Sequence, residues 1–198
     1  MRLIIVRHGE THANLNDVTQ GHRNTQLTPR GKAQARKVAE RLKDERIDAA
    51  YTSDLDRALH TTQEILNHHP ATELVTTPLL REQAKGIHEG RPHKERDRLL
   101  EETGTPFHKW QPEGGESLGD VQDKAISFLK TLEEQHINHN VLVVSHGGPI
   151  ACMLTSLHDE PLEAFHRHMP RKNTAVTIID LDGGKPSFRR VNCSRHLD

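Results

Sequence analysis

Apolar residues are distributed along this chain in two patterns, short unbroken runs and longer stretches with helical spacing. Leu3-Ile4-Ile5-Val6 and Val141-Leu142-Val143-Val144 are wholly apolar and predict strands buried on both faces of a helix-covered sheet. Ala35, Val38, Ala39 and Leu42 fall at i, i+3, i+4 and i+7, one face of an amphipathic helix. Thr28-Pro29 before them supplies an N-cap and a proline at the first helical position. Val121, Ala125, Phe128, Leu129 and Leu132 mark a longer helix capped by Ser117. Shorter strands are predicted over 47–52 and 73–76, and further helices over 55–69, ended by Pro70, and over 149–157. A strand over 175–181, a Gly183-Gly184 turn and a last strand to Val191 complete the pattern.

Strands alternating with helices predict an α/β fold with a largely parallel sheet. Two segments break the alternation. Residues 14–26 form a polar loop, and residues 81–116 carry Pro92, Pro106, Pro112 and Gly114-Gly115 around one helix near 93–103. So long an irregular stretch within a compact domain is usually functional.

Composition narrows the function classes. A chain of 198 residues suits one domain over 1–198, burying roughly 70% of its unfolded surface. Lys+Arg 27 against Asp+Glu 28 leaves a net charge of −1, so no global field favours nucleic acid or an anionic membrane. Aromatics at 3% are too few for a base-stacking platform. Cys152 and Cys193 form no CxxC pair, and no apolar stretch has membrane-spanning length. Met1 leads into a strand rather than a signal peptide. The expectation is a soluble, cytoplasmic protein without nucleic-acid or membrane partners, its oligomeric state open. Among 16 histidines, His68-His69 and His166-Arg167-His168 suggest metal ligation, but no partner stands at a recognisable offset. No metal or other cofactor is expected.

The chemistry gathers where strands end. The first apolar run leads into Arg7-His8-Gly9-Glu10-Thr11, and the run at 141–144 leads into Ser145-His146-Gly147-Gly148. In open α/β sheets ligands bind at the carboxyl edge of the strands. Arginine offers a fork of donors matched to phosphate or carboxylate, and histidine can be nucleophile, base or acid near neutral pH. Either His-Gly pair alone is compatible with an ordinary loop or cap; two in one sheet favour a shared site. The glycines after His146 open a helix whose free amides favour an anion. Arg57 stands in the first turn of a helix, against the dipole, which is a conflict expected at functional sites.

With these residues the chain resembles the histidine phosphatase superfamily, also called phosphoglycerate mutase-like, over almost its whole length. Arg7-His8-Gly9-Glu10-Thr11 with Asn14 resembles the signature loop, and Leu27-Thr28-Pro29-Arg30-Gly31 the entry to the first helix. Ser53-Asp54-Leu55 with Arg57-Ala58 resembles the second arginine motif. Leu80-Arg81-Glu82 with Gly86 and Glu89-Gly90 resembles the acid loop. Gly115-Glu116-Ser117 and Ser145-His146-Gly147 complete the series. The resemblance implies a single three-layer α/β/α domain and a metal-independent phosphatase. It implies His8 as the nucleophile that becomes phosphohistidine, and a positive pocket of Arg7, Arg57 and His146, the last as imidazolium. It also implies that Thr11, Asn14 and the amide of Gly147 assist in binding substrate, and that Glu82 is the general acid and then base.

Gln20 and Gly21, with His22, Arg23, Lys85, His88, Lys109 and Trp110, are expected on the leaving-group side. The mutases of this superfamily have a longer insertion after the acid motif, with an arginine-rich segment that has no clear counterpart here. A phosphatase of small phosphate esters is therefore expected. A phosphoglycerate-type mutase and a non-catalytic phosphate-binding protein are the alternatives. Serine hydrolysis through Ser145 is disfavoured, since Val144-Ser145-His146-Gly147 lacks the Gly-X-Ser-X-Gly elbow.

Overall fold

The two apolar runs become neighbouring strands at the centre of a six-stranded sheet in the computed structural model, which describes residues 1–198. The strands are β1 (Arg2–Arg7), β2 (Ala49–Ser53), β3 (Leu74–Thr77), β4 (Asn140–Ser145), β5 (Val176–Asp182) and β6 (Lys185–Cys193). Their order is β3-β2-β4-β1-β5-β6. The first four run parallel, and the hairpin β5-β6 adds antiparallel to β1. The helices are α1 (His12–Leu15), α2 (Pro29–Leu42), α3 (Asp56–Leu66), α4 (His93–Thr103), α5 (Leu118–Gln135), α6 (Gly147–Leu157) and α7 (Phe165–His168).

Side-chain alternation along β1 divides the core. Leu3 and Ile5 point to the face covered by α5 and α6, where they join Val141, Val143, Phe128 and Met153. Ile4 and Val6 point to the opposite face, covered by α2 and α3, with Val38, Leu42, Ala58 and Ile65. Helices on both faces explain why the central strands carry no polar alternation. The result is the expected α/β fold, with a mixed, mostly parallel sheet.

The elements start largely where their caps predict. Thr28 Oγ1 accepts the Gly31 amide, and Ser117 forms a capping box with Asp120. The helix predicted to reach residue 69 stops at Leu66, and α6 begins two residues early, at Gly147. Two short helices, α1 and α7, carry too few residues to show a period and were not expected.

Register positions the chemistry. Arg7 is paired with Ser145 across β1 and β4, so His8 and His146 leave the sheet side by side. The irregular segment is anchored close by. Glu116 accepts the Ala84 amide on its carboxylate, and its own amide donates to the Ala84 carbonyl. Gly86, at φ +51°, lies where a Cβ would stand 1.9 Å from the Glu113 carbonyl oxygen, so only glycine closes this turn. No helix is long and apolar enough to cross a membrane.

Candidate active site

His8 is 2% exposed at the carboxyl end of β1. Its Nδ1 lies 2.7 Å from the Gly9 carbonyl oxygen, which can only accept, so Nδ1 carries the proton and Nε2 an unshared pair. Burial, reinforced by Arg57 and Arg7, holds its pKa well below the usual 6.5. The ring is therefore neutral at physiological pH.

His146 stands beside it, the ring centroids 5.1 Å apart. Arg57 Nε donates to His146 Nδ1 at 3.1 Å, and a guanidinium cannot accept, so the proton of His146 sits on Nε2. That nitrogen is buried without a partner. Burial, then Arg57 and His8, lower the pKa of His146 too. The ring is thus a neutral N–H donor, not the imidazolium expected from the sequence, because Arg57 already supplies positive charge against its other nitrogen.

Arg57 is 1% exposed and is fixed at three points. Besides His146 it donates to the carbonyls of Gly21 at 2.9 Å and Arg23 at 3.0 Å. Burial lowers its pKa to about 10, which leaves it charged at neutrality. Arg7 donates to the Pro170 carbonyl at 2.9 Å, and its Nε is buried without a partner. The guanidiniums of Arg7 and Arg57 thus line one cavity beside His8 with donors to spare, while His146, fully buried, packs against the His8 ring.

Glu82 enters from the irregular segment and rests at the start of α6. Its Oε1 accepts the Gln83 amide at 2.9 Å and its Oε2 the Gly148 amide at 3.3 Å. A Cβ on Gly148 would come within 2.3 Å of Oε1, so the glycine is what lets the carboxylate approach. Glu10 and Glu89, the other carboxylates of the family-like motifs, are turned to other partners. Glu10 accepts from Thr28 Oγ1, and Glu89 from the amides of His22 and Lys85.

A cavity of about 210 Å³ opens between these groups, lined by Arg7, His8, Asn14, Gln20, Gly21, Arg57, Glu82 and Gly147 among others. Asn14 accepts the Thr11 amide on Oδ1, which leaves its Nδ2 free. Gln20 likewise accepts from Thr11 on Oε1, and its amide nitrogen remains. Thr11 itself is fully buried and does not line the cavity; its hydroxyl caps α1 and steadies Asn14 and Gln20. Of the other expected leaving-group residues, Lys85 lines the cavity. His22 instead donates from Nε2 to the Glu82 carbonyl at 2.8 Å, and His88 packs edge-on against buried Trp110.

The sequence reading missed His93, Arg96, Phe107, Phe165 and Met169, which complete the cavity wall. They come from α4, α7 and irregular turns. No motif or period marks them, and their convergence depends on contacts remote in sequence. No group of three or more His, Cys, Asp or Glu side chains is arranged to hold a metal ion. His168, in the suspected histidine cluster, is bonded through Nε2 to Glu160 at 3.1 Å.

Comparison with known proteins agrees with this geometry. The family model described as histidine phosphatase superfamily (branch 1) matches residues 3–194. Phosphoglycerate mutase-like protein 4 of Arabidopsis thaliana is 33% identical, over 99% of this chain and 86% of its own. A broad-specificity phosphatase of Saccharomyces cerevisiae is 31% identical, over 100% of this chain and 87% of its own. Among solved structures, YhfR of Bacillus stearothermophilus superposes with a TM-score of 0.91 at 28% identity, covering 100% of this chain and 99% of that one.

Proposed function

This chain belongs to the histidine phosphatase superfamily, and we propose that it hydrolyses small phosphate monoesters through a phosphohistidine on His8. The observation that carries the reading is the neutral, Nδ1-protonated His8, whose unshared Nε2 pair lies in a cavity shared with two guanidiniums.

In the first step His8 Nε2 attacks phosphorus, an N–P bond forms and the ester P–O bond breaks. The hydrogen bond from Nδ1 to the Gly9 carbonyl holds the ring in the attacking tautomer and supports the positive charge it gains. Arg7, Arg57, the His146 Nε2 proton and the Gly147 amide stabilise the equatorial oxygens, where phosphoryl transfer needs charge stabilisation. Protonated Glu82 gives its proton to the departing alkoxide. In the second step water attacks phosphohistidine, Glu82 takes a proton from it, and inorganic phosphate leaves with His8 neutral again. Asn14 and Gln20 add amide donors at the rim.

Transfer to water, rather than back to the substrate as in a mutase, is supported by the short segment from Glu82 to Gly115 and by the phosphatase among the relatives. The test is release of p-nitrophenol and phosphate from p-nitrophenyl phosphate. Wild type is expected to turn over, and His8→Ala to lose at least about a thousandfold in kcat. Undiminished turnover by His8→Ala would refute the reading.

A further inference from the structure

The cavity has a second cationic wall that phosphoryl transfer does not use. Lys85 is 8% exposed, and its Nζ lies 4.7 Å from the centroid of the Phe107 ring and 5.4 Å from that of Trp110. Its one hydrogen bond goes to the neutral amide oxygen of Gln83, and no acidic side chain pairs with it. Arg96, from α4, brings its Cζ to 5.4 Å from the same Phe107 ring. Its Nε and Nη2 rest on Asp97, and the other terminal nitrogen has no partner. Both side chains line the cavity that holds His8 and Glu82.

This arrangement costs stability. Burying an ammonium without a counter-ion is unfavourable, and a second cation close by adds repulsion. Burial pushes the Lys85 ammonium down to about 8, opposed by the fields of Glu82 and Glu89 and abetted by that of Arg96. It remains mostly charged at neutral pH. Such conflicts persist where a ligand resolves them. A cavity of about 210 Å³ is smaller than the roughly 300–1,000 Å³ of drug-sized sites, so the leaving group is small.

We propose that Lys85 and Arg96 form a second anion subsite, and that preferred substrates are small phosphate monoesters whose leaving group carries a further carboxylate or phosphate. The proposal rests on the phosphatase reading above. Arg7 and Arg57 take the transferred phosphoryl group, Lys85 and Arg96 the distal anion, and Phe107, Phe165 and Met169 cover the carbon skeleton between them.

The test compares kcat/KM for 3-phosphoglycerate, glycerol 3-phosphate and glycerol 1,3-bisphosphate, with p-nitrophenyl phosphate as reference. The first two differ only in a carboxylate against a hydroxymethyl group, and the third offers a phosphate instead. Either ester with an anionic tail should exceed glycerol 3-phosphate by about ten- to a hundredfold, the worth of one charge-assisted hydrogen bond. Whichever is preferred identifies the distal anion. That preference should fall by about tenfold or more, chiefly through KM, in Lys85→Met and in Arg96→Gln. Lys85→Met should melt at or above the wild-type temperature, since it removes an unpaired buried charge. A drop of several degrees would mean the lysine serves packing and would count against the subsite. Equal kcat/KM on all three esters, with p-nitrophenyl phosphate hydrolysed, would overturn the subsite alone. Failure on every ester would overturn the phosphatase reading, and the subsite with it.

Discussion

A histidine that attacks phosphorus has to offer a bare nitrogen, and its neighbours decide which one. Here the Gly9 carbonyl holds the proton on Nδ1 of His8, while Arg57 performs the opposite assignment on His146. Arg7, His8, Arg57 and His146 stood out in the sequence because each comes at or just after the end of a strand, whereas Glu82 stood out only through the family resemblance of Leu80-Arg81-Glu82. The tautomers were not, since they depend on which carbonyl or guanidinium the fold brings near. Thr11 shows the same limit, because a motif residue can serve by capping a helix instead of touching the cavity. Two substitutions separate the roles. Glu82→Gln should slow alkyl phosphates by about 10²–10⁴-fold and an activated aryl phosphate far less, because a good leaving group needs little protonation. Arg57→Lys should slow both alike, by about a hundredfold, since an ammonium cannot reach Gly21, Arg23 and His146 together. Steady-state rates on glycerol 3-phosphate and p-nitrophenyl phosphate read both outcomes; equal slowing by Glu82→Gln would remove Glu82 from its assigned role.

Among the elements, the junction between the irregular segment and α6 holds the carboxylate proposed as the acid. Glu82 reaches the first turn of α6 because Gly148 has no side chain. Gly148→Ala is therefore expected to displace the carboxylate and reproduce the Glu82→Gln pattern, a loss on alkyl esters that exceeds the loss on aryl ones. Its far-ultraviolet circular dichroism should match wild type, because alanine favours a helix over glycine. An unchanged alkyl-to-aryl ratio would show that this contact does not position the acid. Helices and strands with caps or long periods were readable: Thr28 and Ser117 start α2 and α5 where their side chains predict. The short α7 and the turn bearing Phe107 were not, and these supply part of the second cationic and aromatic wall.

Across the whole molecule, histidines held below their ordinary pKa tie stability to pH, and of these His8, His88 and His146 are buried. His8, His88, His93, His136, His146, His158 and His196 all titrate below the usual 6.5, burial being the leading cause for each. With folded values depressed, the unfolded chain binds more protons as pH falls, so their contribution is intact above about pH 6.5 and lost progressively below it. Asp180, held to about 2 by Arg2 and Arg189, becomes relevant only in strong acid. Calorimetry should therefore show Tm falling from pH 6.5 to 5, with a shallower slope in His8→Gln. A flat profile would contradict the depressed histidine pKa values. Activity is expected to survive exhaustive chelation, because Arg7 and Arg57 are proposed to provide the positive charge that the transition state needs. Loss on chelation, restored by one divalent ion, would contradict that division of labour. The layered α/β order was legible from apolar runs and helical periods, whereas the cavity's full wall is a property of the assembled chain.

A phosphohistidine mechanism is decided by capture of the phosphoryl group on His8. Enzyme is mixed with a phosphorus-labelled ester, quenched within milliseconds in alkaline denaturant, and digested for peptide mapping. A base-stable, acid-labile label is expected on the peptide containing His8, formed faster than steady-state turnover and absent from His8→Ala. Turnover without such a label, or equal labelling of His8→Ala, would contradict that mechanism.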